Sequence, residues 1–306
     1  MKIFLLDSFH PAGVEFVAKH AEIVRWDDPR VKNWPDEADG VMVRGTKIRD
    51  ADLARAKKLK IIAKQGVGYD NIDVAAAKKH GIPVVRTPGV NKEAVTELAI
   101  GLALAVGRRI AELDRRVRAL EKMDRTKILG YEMWGKTVGV VGVGNVGSLV
   151  ARKWQSAFDC KVIGYDPYKK LSIPQVARLD EMLPQVDLLT LHVPLTPETK
   201  YLVGRKELAL MKPSAILVNT CRGGVVDEAA LYEALKAGKL FGAGIDVWEV
   251  EVPRVDSRLL ELPNVVGTPH AGGGSEETQI RSALQTAEQV VAVLNGGKPI
   301  EENRVA

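Results

Sequence analysis

The feature that most constrains the fold is a glycine-rich turn between an apolar run and a helical pattern. Thr137–Val141 predicts a buried strand, and it continues directly into the sequence GVGNVG at residues 142–147. Gly142 permits a tight turn, Gly144 lets backbone N–H groups approach a pyrophosphate, and Gly147 allows close packing of the next helix. Because the N-terminus of that helix offers unpaired N–H groups and a positive dipole end, the turn predicts a dinucleotide-binding site.

An acidic residue lies at the distance from this turn that the same kind of site requires. The next predicted strand, Lys161–Tyr165, is followed by Asp166, which is 19 residues beyond Gly147, against about 20 in the motif. A carboxylate there can accept hydrogen bonds from the adenosine ribose and repels a 2′-phosphate. We therefore expect NAD as the cofactor, although Lys169 and Lys170 follow closely and weaken the exclusion of NADP.

Short apolar runs alternate with helical patterns along the whole chain. They predict strands at residues 3–6, 23–24, 41–43, 61–63, 83–85, 137–141, 161–165, 187–191, 215–219, 242–247 and 265–267. Such alternation predicts parallel sheets with right-handed crossovers. We expect an α/β protein of two Rossmann-like domains. Residues 1–99 and 283–306 would form a flavodoxin-like substrate domain, and residues 100–282 a doubly wound NAD-binding domain.

Two segments predict long helices. Residues 91–122 predict one helix that bridges the domains, since Asn91 can cap its start and apolar residues recur at helical spacing. Residues 276–294 predict the final helix, which Gly296 and Gly297 end.

Composition and charge exclude several other classes of protein. The formal net charge is +5 over 306 residues, and the arginines of residues 108–118 are interleaved with acids, so we expect a solvated or subunit-facing helix rather than nucleic-acid binding. Two cysteines without a CxxC pair predict neither a disulfide framework nor a zinc site, and favour a reduced, cytoplasmic setting. The longest uncharged apolar run, residues 98–107, is too short for a membrane span.

Groups suited to acid–base chemistry follow three late strands. Arg222 follows one strand, Glu249 and Glu251 the next, and His270 the third. An arginine offers a planar fork for a carboxylate, a histidine can exchange a proton near neutral pH, and a neighbouring glutamate can hold the imidazole ring. Each residue alone has an ordinary structural explanation, but together at strand ends of an NAD-type domain they predict a catalytic site.

These features resemble the D-isomer-specific 2-hydroxyacid dehydrogenase family over essentially the whole chain. Besides the glycine-rich turn and the Arg222 segment, the matching stretches are QGVGYDNID at 65–73, LHVPLT at 191–196, DVWE at 246–249 and TPH at 268–270. The resemblance implies NAD-dependent interconversion of a 2-oxo acid and a D-2-hydroxy acid, bound between the domains. It also implies a homodimer built from residues 91–122 and the segment leading to Trp134.

The resemblance further assigns roles to particular residues. Arg222 would bind the substrate carboxylate and keto oxygen, His270 would be the acid/base, and Glu251 its partner. The expected contacts to the substrate are Arg44, Gly66, Val67 and Gly68. The expected contacts to NAD are Gly142, Gly144, Asn145, Val146, Gly147, Asp166, His192, Pro194, Thr199, Thr220, Cys221, Asp246, His270 and Gly272, with Asp246 near the nicotinamide amide.

The sequence departs from the family pattern in a few places. Val252 follows Glu251 where the family commonly has proline, and this leaves Glu249 as a rival for the partner role. Cys221 stands where a small Ala or Ser is usual, so both a redox role and a plain packing role are open. Ala271 replaces a commoner branched residue, which predicts a slightly larger pocket.

Other functions remain open at this point. A formate dehydrogenase shares the scaffold but has Gln where Glu251 stands, and a phosphite dehydrogenase has a similar cysteine before its arginine. The C-terminal-binding corepressors use the same fold as NAD-sensing adaptors, but with long extra tails. Among dehydrogenases, Arg44 resembles the 3-phosphoglycerate branch, where it can help hold a phosphate, and glyoxylate or hydroxypyruvate reduction is the next choice. We expect no C-terminal regulatory domain.

Overall fold

The computed structural model describes residues 1–251 and 257–306, and these form two compact units. Unit 1 is Met1–Asn91 with Gly274–Ala306, and unit 2 is Lys92–Gly273. The predicted boundaries at residues 99 and 282 differ because each of them cuts a continuous helix, Lys92–Gly107 and Glu276–Leu294. Val252, where a proline is common in the family, lies outside the described residues.

Unit 1 contains one parallel sheet of five strands in the order β2-β1-β3-β4-β5. This is the flavodoxin-like order expected from the sequence. The strands are β1 Lys2–Leu5, β2 Glu22–Val24, β3 Gly40–Val43, β4 Ile61–Lys64 and β5 Val84–Val85. The helices are α1 Pro11–Ala18, α2 Trp34–Glu37, α3 Asp50–Arg55, α4 Val74–Lys79 and, at the far end of the chain, α11 Glu276–Leu294.

The core of unit 1 lies on both faces of this sheet, because β3 and β4 are buried along their whole length. The last helix returns to cover one face beside α1. A Cβ on Gly13 would lie 2.8 Å from the Cβ of Ala283, and one on Gly40 would lie 2.8 Å from Val290. These glycines let α11 approach α1 and β3 closely, so the C-terminal helix belongs to the first unit.

Unit 2 contains a second parallel sheet, of six strands in the order β11-β10-β9-β8-β6-β7. The strands are β6 Thr137–Val141, β7 Lys161–Tyr165, β8 Leu188–Leu191, β9 Ile216–Asn219, β10 Gly242–Ile245 and β11 Val265–Gly267. The helices are α5 Lys92–Gly107, α6 Ile110–Arg118, α7 Asn145–Phe158, α8 Leu179–Met182, α9 Arg205–Leu210 and α10 Glu228–Lys236. Beyond β7, a single parallel bridge joins Gly164 to Gln175. The predicted fold class, two parallel-sheet α/β domains, is confirmed.

The predicted helix of residues 91–122 is wrong in one respect, because the structure breaks it into α5 and α6. Arg109 adopts a left-handed backbone with φ 56°, and its side chain bonds Glu112. The carbonyl of Gly107 accepts a hydrogen bond of 2.8 Å from Tyr131 N. A bond from a distant segment therefore takes the place of a bond that would continue the helix.

Helix α5 packs against β10 and β9 of the unit 2 sheet, because β10 has small residues there. Added Cβ atoms on Gly242 and Gly244 would come within 2.6 Å of Val106 and 2.8 Å of Leu102. All four residues of β10 are buried despite the low strand propensity of glycine. This close layer fixes the edge from which the loops after β9, β10 and β11 emerge. Within the described residues, no helix is long and apolar enough to cross a membrane.

Candidate active site

The carboxyl ends of β9, β10 and β11 bring the predicted acid–base groups to one edge of the unit 2 sheet. The three strands are adjacent and parallel, so the loops that carry Arg222, Glu251 and His270 leave on the same side. Nδ1 of His270 lies 2.9 Å from Oε1 of Glu251, and the two side chains are 47% and 43% exposed. Since Glu251 takes Nδ1, Nε2 is the ring nitrogen left for proton exchange.

The rival carboxylate, Glu249, has different partners. Its Oε1 accepts a hydrogen bond of 3.1 Å from the backbone N–H of Glu228, and its Oε2 accepts one of 3.3 Å from the hydroxyl of Tyr201. Geometry therefore favours Glu251 as the partner of His270, while Glu249 is bound to the start of α10.

The backbone at His270 is held in an uncommon conformation. His270 has φ 56°, in the left-handed region that few non-glycine residues adopt. Its N–H donates to the carbonyl of Asp246 at 2.7 Å. The buried Asp246 carboxylate accepts bonds from Thr268 Oγ1 at 2.6 Å, Ala271 N at 2.7 Å and Gly272 N at 2.9 Å. Such a position persists only when its surroundings over-determine it, and Asp246 supplies those surroundings.

This finding changes what Asp246 can do. The resemblance placed Asp246 near the nicotinamide amide, but its carboxylate is already engaged by three donors of the His270 loop. The N–H of Gly272, expected at the cofactor, is likewise bonded to Asp246. The contacts within unit 2 give both residues a part in shaping the loop after β11.

The turn after β9 is organised by Asn219, which sequence reasoning missed. Its Oδ1 accepts from Cys221 N at 3.1 Å, and its Nδ2 donates to Arg222 O at 2.9 Å. Arg222 has extended backbone dihedrals, and one guanidinium nitrogen donates to Cys221 O at 2.7 Å. An asparagine as the last residue of a predicted strand, three residues before Arg222, is the sequence signal that could have identified it.

Cys221 carries a thiol with little tendency to ionise. Its Sγ donates to Asn219 Oδ1 at 3.1 Å. Burial raises the pKa of this thiol to about 11, despite backbone hydrogen bonds and the nearby Arg222 charge that act in the opposite direction. This environment favours the packing role over the redox role.

The glycine-rich turn has the geometry that a pyrophosphate requires. Gly142 has φ 81°, and a Cβ there would lie 2.6 Å from His192 O. A Cβ on Gly147 would lie 2.0 Å from Gly142 O, whereas one on Gly144 has no atom of the described residues within 4 Å beyond its chain neighbours. Gly144 is also the N-cap of α7, so no side chain at the cap position occupies the first N–H groups of this helix.

The other groups around this turn also fit a dinucleotide. Asp166 accepts from Val143 N and Tyr168 N, both at 3.1 Å, so its carboxylate is fixed beside the turn. Thr220, at the end of β9, has a buried Oγ1 with no hydrogen-bond partner in the described part of the chain. A buried hydroxyl without a partner costs free energy, and a bound ligand would supply one. Asn145 and Val146 open α7, as expected.

The remaining predicted cofactor residues lie in the loop after β8. His192 Nε2 lies 2.9 Å from Thr190 Oγ1, and burial lowers the pKa of His192 to about 3, so the ring is neutral at physiological pH. Thr199 Oγ1 donates to Pro194 O at 2.6 Å and closes the loop. Within the described residues, no group of His, Cys, Asp and Glu is arranged to hold a metal ion.

The predicted substrate residues of unit 1 lie in two loops. The loop after β3 is fixed by Asp7, whose carboxylate accepts from Arg44 N at 2.5 Å, Gly45 N at 3.0 Å and Thr46 N at 3.1 Å. Asp7 was missed, although an acid directly after the first strand is the kind of signal that indicates a loop cap. Arg44 itself is exposed.

The loop after β4 differs from expectation at Gly66. Gly66 has φ 109°, and its N–H donates to Thr87 Oγ1 at 2.8 Å. This N–H is therefore used within unit 1, and the predicted cradle of backbone N–H groups for a carboxylate depends on Val67 and Gly68.

Comparison with known proteins agrees with this geometry. Residues 100–272 match the family model described as D-isomer specific 2-hydroxyacid dehydrogenase, NAD binding domain. This range covers the glycine-rich turn, Asp166 and the three strand ends. The chain belongs to this family of NAD-dependent oxidoreductases, and the predictions of the family, of the enzyme class and of NAD as cofactor are confirmed at that level.

Individual relatives differ in the reactions for which they are named. The chain is 41% identical to a D-3-phosphoglycerate dehydrogenase of Methanocaldococcus jannaschii, over 97% of this chain but 58% of that protein. It is 42% identical to a hydroxypyruvate reductase of Thermotoga maritima, over 90% of each. A D-lactate dehydrogenase from Aquifex aeolicus, solved with NAD and lactic acid, superposes with a TM-score of 0.87 at 31% identity, covering 100% of this chain and 99% of that one.

Proposed function

We propose that this protein interconverts a 2-oxo acid and a D-2-hydroxy acid, with His270 as acid/base, Glu251 as its partner and Arg222 as the anchor for the substrate carboxylate. The observation that carries the proposal is the 2.9 Å contact between His270 Nδ1 and Glu251 Oε1 at the carboxyl edge of the sheet in the NAD-binding unit. Formate oxidation involves no proton exchange with the substrate, so this carboxylate–histidine pair disfavours a formate dehydrogenase.

The residues of the chain have separate tasks in the reductive direction. NADH, when bound, supplies the hydride to the carbonyl carbon of the substrate. His270 donates a proton from Nε2 to the carbonyl oxygen, and Glu251 holds the imidazole ring in place through Nδ1. The guanidinium of Arg222 offers a planar fork that orients the substrate carboxylate.

The groups proposed to hold NAD are those of the turn after β6 and its surroundings. Gly144, Asn145 and Val146 would present backbone N–H groups to the pyrophosphate, and Asp166 would accept from the adenosine ribose. Thr220 has the buried hydroxyl that lacks a partner among the described residues, which supports a cofactor contact there. His192, Pro194, Thr199 and Cys221 are proposed as further contacts.

For the substrate, we propose a small 2-oxo acid, with 3-phosphohydroxypyruvate as the first choice and hydroxypyruvate or glyoxylate as the second. Arg44 supports the first choice, since it is an exposed cation on a loop that Asp7 fixes. The 3-phosphoglycerate dehydrogenase and the hydroxypyruvate reductase to which the chain is similar correspond to these two choices. Val67 and Gly68 are proposed to hold the carboxylate with their backbone N–H groups.

We also propose a homodimer. The segment from α6 to Trp134 exposes a series of large apolar side chains, and such patches on a folded chain commonly mark interfaces. Their exposed fractions are Ile110 55%, Val117 58%, Leu120 90%, Leu129 72% and Trp134 69%. The cytoplasmic setting and the absence of nucleic-acid and membrane partners stay predictions.

One assay tests the proposed function against the adaptor alternative. Purified protein is mixed with NADH and, separately, with glyoxylate, hydroxypyruvate, pyruvate and 3-phosphohydroxypyruvate, and the loss of NADH absorbance is followed. Turnover with at least one oxo acid, abolished in His270→Ala, is the expected result. NADH binding without turnover on any member of the panel would favour an NAD-sensing adaptor.

A further inference from the structure

Glu228 and Glu249 bond each other's backbone through their side chains. Oε1 of Glu228 accepts a 2.5 Å hydrogen bond from Glu249 N, and Oε1 of Glu249 accepts a 3.1 Å bond from Glu228 N. This reciprocal pair joins the first residue of α10 to the segment that follows β10. Neither carboxylate contacts His270 in these bonds, and no sequence motif pointed to Glu228.

The pair has a physical reason at the start of α10. The first N–H groups of a helix have no partner within it, and the side chain of Asp227, the N-cap, accepts from Ala230 N. Glu249 accepts the N–H of Glu228 and places a negative charge at the positive end of the helix. Tyr201 donates to its other oxygen at 3.3 Å.

The Trp248–Glu249 peptide is held from other sides as well. A Cβ on Gly223 would lie 1.9 Å from Trp248 C and 2.3 Å from Glu249 N, so the turn after β9 packs directly on this peptide. The indole of Trp248 donates to Thr268 O at 3.0 Å, two residues before His270. The peptide is therefore bound to the turn of Arg222, to the loop of His270 and to α10.

Glu251 is two residues further along the chain, and it is 43% exposed. An exposed side chain loses conformational freedom when it is kept against one partner. A fixed peptide just before it restricts where the Glu251 carboxylate can lie.

We infer that Glu228 and Glu249 are positioning residues, which fix the Trp248–Glu249 peptide so that Glu251 meets Nδ1 of His270. The inference rests on the proposed function, because it concerns how the carboxylate–histidine pair is held. Each residue acts as a hydrogen-bond acceptor. Burial, together with the nearby charges of Glu249 and Glu251, raises the pKa of Glu228 above its usual value.

The test compares alanine and glutamine at position 228. Glu228→Ala removes the acceptor, while Glu228→Gln keeps an oxygen that can accept from Glu249 N. The readout is the single-turnover rate of NADH oxidation with the best oxo acid of the panel, with KM for NADH measured in parallel. Glu233→Ala is the matched control, since Glu233 lies on the same helix and its ion pair is with Arg258 at 3.9 Å.

We expect Glu228→Ala to slow the single-turnover step by about tenfold to a hundredfold, the usual cost of a small misplacement of a catalytic group. Glu228→Gln should restore the rate to within about threefold, and KM for NADH should change little in either variant. In a Glu251→Gln background, Glu228→Ala should lower the single-turnover rate by less than about twofold, because the carboxylate that Glu228 positions has already been removed. Glu249→Ala is tested in the same way, alone and in the Glu251→Gln background. Because Glu249 is exposed, this variant should fold even if Glu228→Ala does not.

Two results would overturn the inference. One is an equal loss of the single-turnover rate in Glu228→Ala and Glu228→Gln. The other is a Glu228→Ala substitution that lowers this rate by the same factor in the wild-type and Glu251→Gln backgrounds. Both leave the proposed function intact as long as Glu251→Gln itself slows the reaction. A wild-type rate in Glu251→Gln instead contradicts the proposed carboxylate–histidine pair, and with it the inference.

Discussion

The glycine-rich turn after β6 and the loop that carries His270 both follow strands of the same sheet, but they are held in different ways. The turn is fixed by what its residues lack: Gly142 and Gly147 have no Cβ where one would collide with His192 O and Gly142 O. The His270 loop is fixed by what a distant residue supplies, since the Asp246 carboxylate accepts three of its donors.

This difference separates binding from chemistry within one unit. Changes in the turn should alter NADH affinity or folding and leave proton transfer alone. Changes in the loop should alter proton transfer and leave NADH affinity alone. The predictions that follow test this separation, from the largest expected effect to the smallest.

Replacement of His270 by alanine should have the largest effect on catalysis. The variant loses the proposed proton donor, so kcat/KM for the oxo acid should fall by about 10²–10⁴-fold. The Kd for NADH, from fluorescence titration, should stay within about twofold of wild type. A loss of NADH affinity comparable to the loss of kcat/KM would show that the His270 loop also contributes to NADH binding.

Gly147 and Gly144 provide a matched pair of alanine variants within the turn. Gly147→Ala places a Cβ 2.0 Å from Gly142 O, and we expect it to lower the free energy of unfolding in urea by about 1–3 kcal/mol. A Cβ on Gly144 has no described atom within 4 Å beyond its chain neighbours, so the free energy of unfolding of Gly144→Ala should differ from wild type by less than about 0.5 kcal/mol. Its NADH affinity should nevertheless fall, because the methyl group would occupy the approach of the pyrophosphate. Unchanged NADH affinity in Gly144→Ala would contradict the assignment of the turn.

Asp166→Ala should change cofactor preference. The substitution removes both a partner for the ribose and the repulsion of a 2′-phosphate, so NADH binding should weaken by about tenfold, the worth of one good charged hydrogen bond. Preference for NADH over NADPH, measured as the ratio of kcat/KM values, should narrow. A wild-type enzyme that already prefers NADPH would make the assignment of Asp166 wrong.

Cys221 should have the smallest effect, although it is adjacent to Arg222. Burial raises the pKa of its thiol to about 11, so only about one molecule in a thousand carries the thiolate at about pH 8. In a Cys160→Ser background, iodoacetamide should modify Cys221 slowly at that pH and faster as the pH rises towards about 11. Fast modification at neutral pH would restore the redox hypothesis.

The same contrast explains which features could be predicted from the sequence. The turn, the strand after it and Asp166 lie within one short stretch, where backbone sterics dictate the residue types and their spacing. The preference for Glu251 over Glu249 came from the family resemblance alone, because the choice depends on bonds to Glu228, Tyr201 and His270 that no local sequence pattern records.

Two errors have a similar origin. The helix of residues 91–122 is interrupted because Tyr131 bonds Gly107 O, a contact between segments far apart in sequence. The N–H of Gly66 is bonded to Thr87 for the same reason. Periodicity predicts where a helix or turn can form, but contacts made by distant segments decide where it ends and which donors remain.

The central claim is that Glu251, and not Glu249, supports His270 as the proton donor. The direct measurement is kcat/KM for 2-oxo acid reduction in Glu251→Gln and Glu249→Gln, with the Kd for NADH measured in parallel. Glu251 contacts Nδ1 of His270, whereas Glu249 accepts from Glu228 N and Tyr201, so only the change at Glu251 should impair proton donation by His270. We expect kcat/KM to fall by about tenfold to a hundredfold in Glu251→Gln and to stay within about threefold of wild type in Glu249→Gln. A fall in Glu249→Gln with none in Glu251→Gln would contradict the claim.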